Sequence, residues 1–188
     1  MDIVMQIFKK KTNHLTTSKN KRSFINDERG VTAIEFGLLA VPFISIIAII
    51  LQTAIVFIAG MLLDNAVNDS IRLIRTGQAE AQNFTIANFR EKLCDQIVGL
   101  LSCNDIKIRV RHLPDFNASQ AALSVIDPAT GAWTLVEQYN DGIGKSIIIA
   151  EAYYKWDPVI DFKWLNIGAG PDGKILLGSA RVWRNEPF

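Results

Sequence analysis

From Phe36 to Leu63 the chain reads FGLLAVPFISIIAIILQTAIVFIAGMLL, with no charged residue between Glu35 and Asp64. These 28 positions form, at 1.5 Å per residue, a helix about 42 Å long, which exceeds the roughly 30 Å hydrocarbon core of a bilayer. A charge-free stretch of this length reads as a membrane span rather than as the buried helix of a soluble domain. It is too long for a secretory signal, whose apolar region covers about 7 to 15 residues before a small-residue cleavage site. Here Asp64 and Asn65 follow instead. A chain of 188 residues leaves room for one further domain of ordinary size.

The formal net charge of +1 excludes a globally basic nucleic-acid binder, and a charged fraction of 21% argues against extensive disorder. That average conceals an asymmetry. Residues 1–30 carry Lys9, Lys10, Lys11, Lys19, Lys21, Arg22 and Arg29 against Asp2, Asp27 and Glu28, a net +4, whereas the remainder is net −3. Basic residues gathered in the short N-terminal flank predict that this flank stays in the cytoplasm and that the C-terminal part crosses. In a bacterium with two membranes the domain is then periplasmic.

The boundary of the span reads Arg29-Gly30-Val31-Thr32-Ala33-Ile34-Glu35-Phe36. A carboxylate beside an apolar helix is costly, by about 2.5 to 3.5 kcal/mol at the bilayer centre and less near an interface. If the chain were cut after Gly30, Val31 would offer a free ammonium four residues before Glu35, on the same helix face. A neighbouring subunit could equally offer its own. Gly30, four intervening residues, Glu35 and the aromatic Phe36 resemble the prepilin-peptidase site of Tad/Flp type IV pilins. The stretch Ser70 to Ala79 (SIRLIRTGQA) and the terminal Arg184 to Phe188 (RNEPF) are similar to blocks of the same family. From about Gly30 onward the chain resembles TadE-like minor pilins, or pseudopilins, of the tight-adherence pilus system.

Helical spacing continues past the span through Leu62, Leu63, Ala66, Val67, Ser70, Ile71, Leu73 and Ile74. Asp64, Asn65, Asn68, Asp69, Arg72 and Arg75 lie on the other face. Thr76-Gly77 provides a stop, with cations in the last turn, so the helix is expected over Val31 to Arg75. Pro42 should kink it or open a hydrogen bond without ending it. A second helix is expected from about Gln78 to Leu101, with Phe84, Ala87, Phe89, Leu93, Ile97, Leu100 and Leu101 as its apolar stripe. Alternating or β-branched runs at 106–111, 122–126, 146–154 and 175–183 then predict about four antiparallel strands. The expected architecture is α+β: a basic leader over 1–30, a long helix over 31–76 containing the span, and a periplasmic domain over 77–188.

Cys94 and Cys103 are the only cysteines. In an oxidising periplasm they are expected to form a disulfide, worth roughly 2 to 3 kcal/mol for a loop of about ten residues. In a cytosolic protein, metal binding or free thiols would compete. A zinc site lacks ligands, since one of the two histidines, His14, lies in the leader. Gly142-Ile143-Gly144-Lys145-Ser146 ends like a phosphate loop but has Tyr139 where the first glycine should stand, so it reads as a turn entering a strand. Only His112 could serve a periplasmic triad, and no nucleophile stands out beside it. Tyr153, Tyr154, Trp156 and Trp164 read as sheet packing.

A non-enzymatic assembly component without cofactors is therefore expected. The resemblance implies cleavage by a prepilin peptidase between Gly30 and Val31, and an assembly charge pair between Glu35 and the new Val31 amine. It implies as partners a TadF-like minor pilin, the major Flp pilin and the inner-membrane assembly platform. The competing expectation is an uncleaved single-pass protein with a periplasmic sensor or ligand-binding domain.

Overall fold

The computed structural model describes residues 30–97, 99–120, 124–160 and 170–188. The chain divides after Ile44 into two units. The described residues of the first, 30–44, contain the start of helix α1, Val31–Arg75, whose bounds coincide with those expected. Pro42 lies inside α1 without ending it. Nearly every large apolar residue of this stretch is exposed, among them Ile34, Phe36, Leu38, Leu39, Val41 and Phe43. Such a contiguous apolar surface is not one that water solvates at low cost. The helix is long and apolar enough to cross a membrane.

In the second unit α1 remains exposed through Ile58 on most sides and then becomes a core helix. Ala59, Leu63, Ala66, Val67, Ser70, Ile71 and Ile74 are buried at helical spacing, against the inner face of a three-stranded sheet. The strands are β1 (Lys107–Leu113), β2 (Ile147–Trp156) and β3 (Ile175–Arg184), antiparallel in the order β1-β2-β3. Strand alternation sends Ile108, Val110, Ile148, Ala150 and Ala152 into the core. Each large aliphatic side chain so buried contributes about 1.5 to 3 kcal/mol. Of the expected fourth strand, the described residues 124–126 contribute one isolated bridge, Ile126 with Trp133, while Ala122 and Leu123 lie outside the described residues.

The single second helix expected over Gln78 to Leu101 is instead two, α2 (Gln78–Ala81) and α3 (Ile86–Gln96). The physical reason is local. Asn83 takes a left-handed φ of 52°, and the Phe84 amide returns to the Ala79 carbonyl at 2.9 Å, closing the first helix. The Thr85 side chain then accepts from the Asn88 amide while Asn88 accepts from the Thr85 amide, a reciprocal cap that starts the next helix. Phe89, Leu93, Ile97 and Leu101 still reach the core, although α3 stops at Gln96.

Candidate functional site

Gly30 is exposed, and a Cβ placed on it would meet no atom within 4 Å. Its φ lies outside the left-handed region, so neither packing nor backbone conformation among the described residues demands a glycine here. Val31 opens α1 and Glu35 lies one turn on, exposed, with no hydrogen-bond or ion-pair partner among the described residues. Among the described residues, an unpaired acid and an unconstrained glycine thus stand at the head of an apolar helix.

The second region is the junction of α1 with the sheet. Asp64, the first charge after the apolar run, accepts from the Ser179 hydroxyl at 2.7 Å and from the Arg181 guanidinium at 2.5 Å. Arg181 also donates to the Asn68 side chain at 3.0 Å. Asp64 and Asn68 are one turn apart, and Ser179 and Arg181 are two apart on β3, so both pairs project from single faces. Because both partners of the ion pair are partly exposed, it contributes on the order of 0 to 1 kcal/mol and acts chiefly on register.

At its C-terminal end α1 is capped by the chain terminus. Gly77 has φ 76°, and the Phe188 ring lies where its Cβ would stand, at 2.6 Å. The Glu186 amide donates to the Arg75 carbonyl at 3.0 Å, supplying one of the acceptors a helix end leaves open, and the two side chains form an ion pair at 3.4 Å. Asn185 holds the tail from the other side, donating to the carbonyls of Asp141 and Ile143. The two sequence blocks, 70–79 and 184–188, are therefore one contact in space.

The Cys94–Cys103 disulfide is formed, with Cα atoms 5.9 Å apart, and ties the last turn of α3 to the turn ahead of β1. The 142–146 glycines form the expected turn, with Gly142 and Lys145 both at positive φ. Trp156 is buried and Tyr154 packs against the core, as sheet packing requires, whereas Trp164 lies outside the described residues. His112 is exposed. Among the described residues no group of three or more His, Cys, Asp or Glu side chains is placed to hold a metal ion. Arg72 lines an open groove of about 600 Å³ with Asp69, Gln82, Phe84, Lys92 and Gln96, a mixed-charge surface.

One cluster had not been expected from the sequence. Arg109 of β1 and Glu151 of β2 are directly opposite in the ladder, both over nine-tenths buried, and form a two-point ion pair at 2.7 and 2.9 Å. Arg111 approaches the same carboxylate at 3.6 Å, and the Tyr153 hydroxyl donates to it at 3.2 Å. The hydrogen bond to Glu151 raises the Arg109 pKa, while burial, reinforced by the Glu151 charge, raises that of Tyr153. The available signal was the lone acid in the apolar run SIIIAEAYY, which demands a cation on a neighbouring strand.

A family model described as TadE-like protein matches residues 30–72. The matched span begins at Gly30, contains Glu35 and the whole apolar run, and ends within the buried stripe of α1. Over these residues the chain is similar to that family, in agreement with the resemblance carried by its motifs. No curated protein and no solved structure matches the chain.

Proposed function

We propose that this chain is a minor pilin, or pseudopilin, of a Tad pilus system, made as a precursor and cut between Gly30 and Val31 by a prepilin peptidase. Similarity to the TadE-like family over residues 30–72 points to a Tad-pilus-associated membrane protein with a structural rather than catalytic role. The observation that carries the finer reading is the contrast at the helix head: Gly30 and Glu35 have the spacing of a processing site, yet among the described residues neither has a packing or pairing partner. Residues left unpaired by the rest of the described helix and sheet are available to another protein.

In this reading the basic leader stays in the cytoplasm and the sheet domain lies in the periplasm. After cleavage the Val31 ammonium and the Glu35 carboxylate, within one subunit or between staggered subunits, neutralise each other in a low-dielectric helix bundle. There an unpaired charge would be expensive. The exposed apolar face of α1 packs with the helices of a TadF-like partner and the major Flp pilin, and the sheet domain contributes contacts to the assembly platform.

The deciding experiment is the N-terminus and intact mass of the protein extracted from membranes of cells with active peptidase. The expected species begins at Val31 and lacks residues 1–30. A chain that retains Met1 overturns the proposal and favours the uncleaved single-pass reading.

A further inference from the structure

We propose that the loop at the end of β2, residues 157–160, inserts into the boundary between headgroups and acyl chains of the bilayer that α1 crosses, giving the sheet a second foothold on lipid. This rests on the membrane-spanning reading of α1.

The loop is held against the lipid-facing part of the helix. The Ile160 amide donates to the Gln52 side-chain oxygen at 2.8 Å. Gln52 lies inside the charge-free run, and around it Leu51, Ile55 and Phe57 are 59%, 36% and 69% exposed. Val56 is half-buried against the core, and full burial of the helix begins at Ala59. Counting about 20 residues of apolar sequence from Phe36 puts the outer edge of the hydrocarbon near Ile55, one turn past Gln52. At that depth backbone groups must be satisfied by protein rather than by water. The Gln52–Ile160 bond does this for a polar side chain and an amide together.

The last two described residues of this segment are apolar: Val159 is 74% and Ile160 38% exposed. Beside it the charges are matched, with Lys174 on Asp157 at 3.0 Å and Lys155 on Asp172 at 2.7 Å, and Lys155 lies over the Trp133 ring. An aromatic ring, paired lysines and the apolar pair Val159 and Ile160 are the environments found on entering a membrane from water. Because the lysines are already neutralised, the occupant is the acyl and glycerol layer of a zwitterionic lipid, with no requirement for anionic headgroups.

The test uses full-length protein in phosphatidylcholine vesicles, carrying a single fluorescent label at Val159→Cys, Ile47→Cys or Asn117→Cys, the native cysteines being engaged in their disulfide. Spin-labelled lipids with a shallow nitroxide are expected to quench the label at 159 several-fold more than that at 117, and Gln52→Leu to weaken this while leaving the quenching of the label at 47 by a deep acyl-chain nitroxide unchanged. A label at 159 that responds to aqueous quencher like that at 117, while 47 is quenched by lipid, overturns the loop insertion alone. A label at 47 that lipid does not quench overturns the spanning reading and the insertion with it.

Discussion

The Phe188 ring stands 2.6 Å from where a Cβ on Gly77 would be, so the last residue of the chain closes over the glycine that ends α1. Two stretches more than a hundred residues apart, 70–79 and 184–188, are thereby constrained by the same few atoms. Any side chain at 77 meets both an unfavourable backbone conformation and the ring.

Gly77→Ala is accordingly expected to destabilise the domain by about 1 to 3 kcal/mol, the usual range for a non-glycine residue held in the left-handed region. Phe188→Ala removes the clash but not the backbone strain. In thermal unfolding of the full-length protein in detergent, the double variant should lie closer to Phe188→Ala than additivity predicts.

Glu151→Ala leaves two guanidinium groups, those of Arg109 and Arg111, facing a carboxylate that is no longer there. Removing one partner of a buried pair costs about 3 to 5 kcal/mol. Replacing Arg109 and Glu151 together by Met and Leu should cost much less, and comparison of the two melting temperatures checks the difference. Equal losses would mean that the pair is not the source.

The hydrogen bond from the Lys155 ammonium, opposed by some desolvation and aided by the Lys174 amide, holds the Asp172 carboxyl below the usual range. With its folded pKa depressed, this group contributes stability above the ordinary carboxylate pKa of about 3.9 and loses it as pH falls toward the folded value. Asp172→Asn is therefore expected to lower stability at neutral pH and to flatten the acid limb of a stability curve. An unchanged acid limb would show that the Lys155 contact does not persist in solution.

At the helix head the proposal separates two variants. Gly30→Phe should block processing with no change in thermal stability, because among the described residues a Cβ at that position meets no atom within 4 Å. Glu35→Ala should permit cleavage yet reduce pilus formation, since the Val31 ammonium loses its partner. N-terminal sequencing together with counts of surface pili distinguishes them. Normal piliation with Glu35→Ala would remove the charge pair from the mechanism.

Much of the fold is legible from local chemistry. The bounds of α1 follow from a continuous apolar pattern that begins after Gly30 and a Thr76-Gly77 stop with Arg72 and Arg75 before it. β1, β2 and β3 follow from alternating or β-branched runs, and their ends differ from expectation by no more than two residues. The break between α2 and α3 was written in Asn83 and the Thr85-Asn88 cap, but helical periodicity across 78–101 outweighed those short signals. Of the run at 122–126, the described part makes a single bridge, Ile126 with Trp133, since a β-favouring composition does not by itself supply a pairing partner.

What the sequence alone determined are the features that depend on neighbours along the chain: an apolar helix long enough for a bilayer, the asymmetry of charge around it, the Gly30 to Glu35 spacing and the Cys94 and Cys103 pair. Tertiary structure decided which of the many arginines meets which acid, joining Arg109 to Glu151 and Arg181 to Asp64. It also decided that Phe188 covers Gly77 and that Ile160 rests on Gln52. Hydrogen bonds and ion pairs act over a few ångströms in space, whereas these partners are 42 to 117 residues apart in sequence. Only strand register and the packing of α1 on the sheet bring them together.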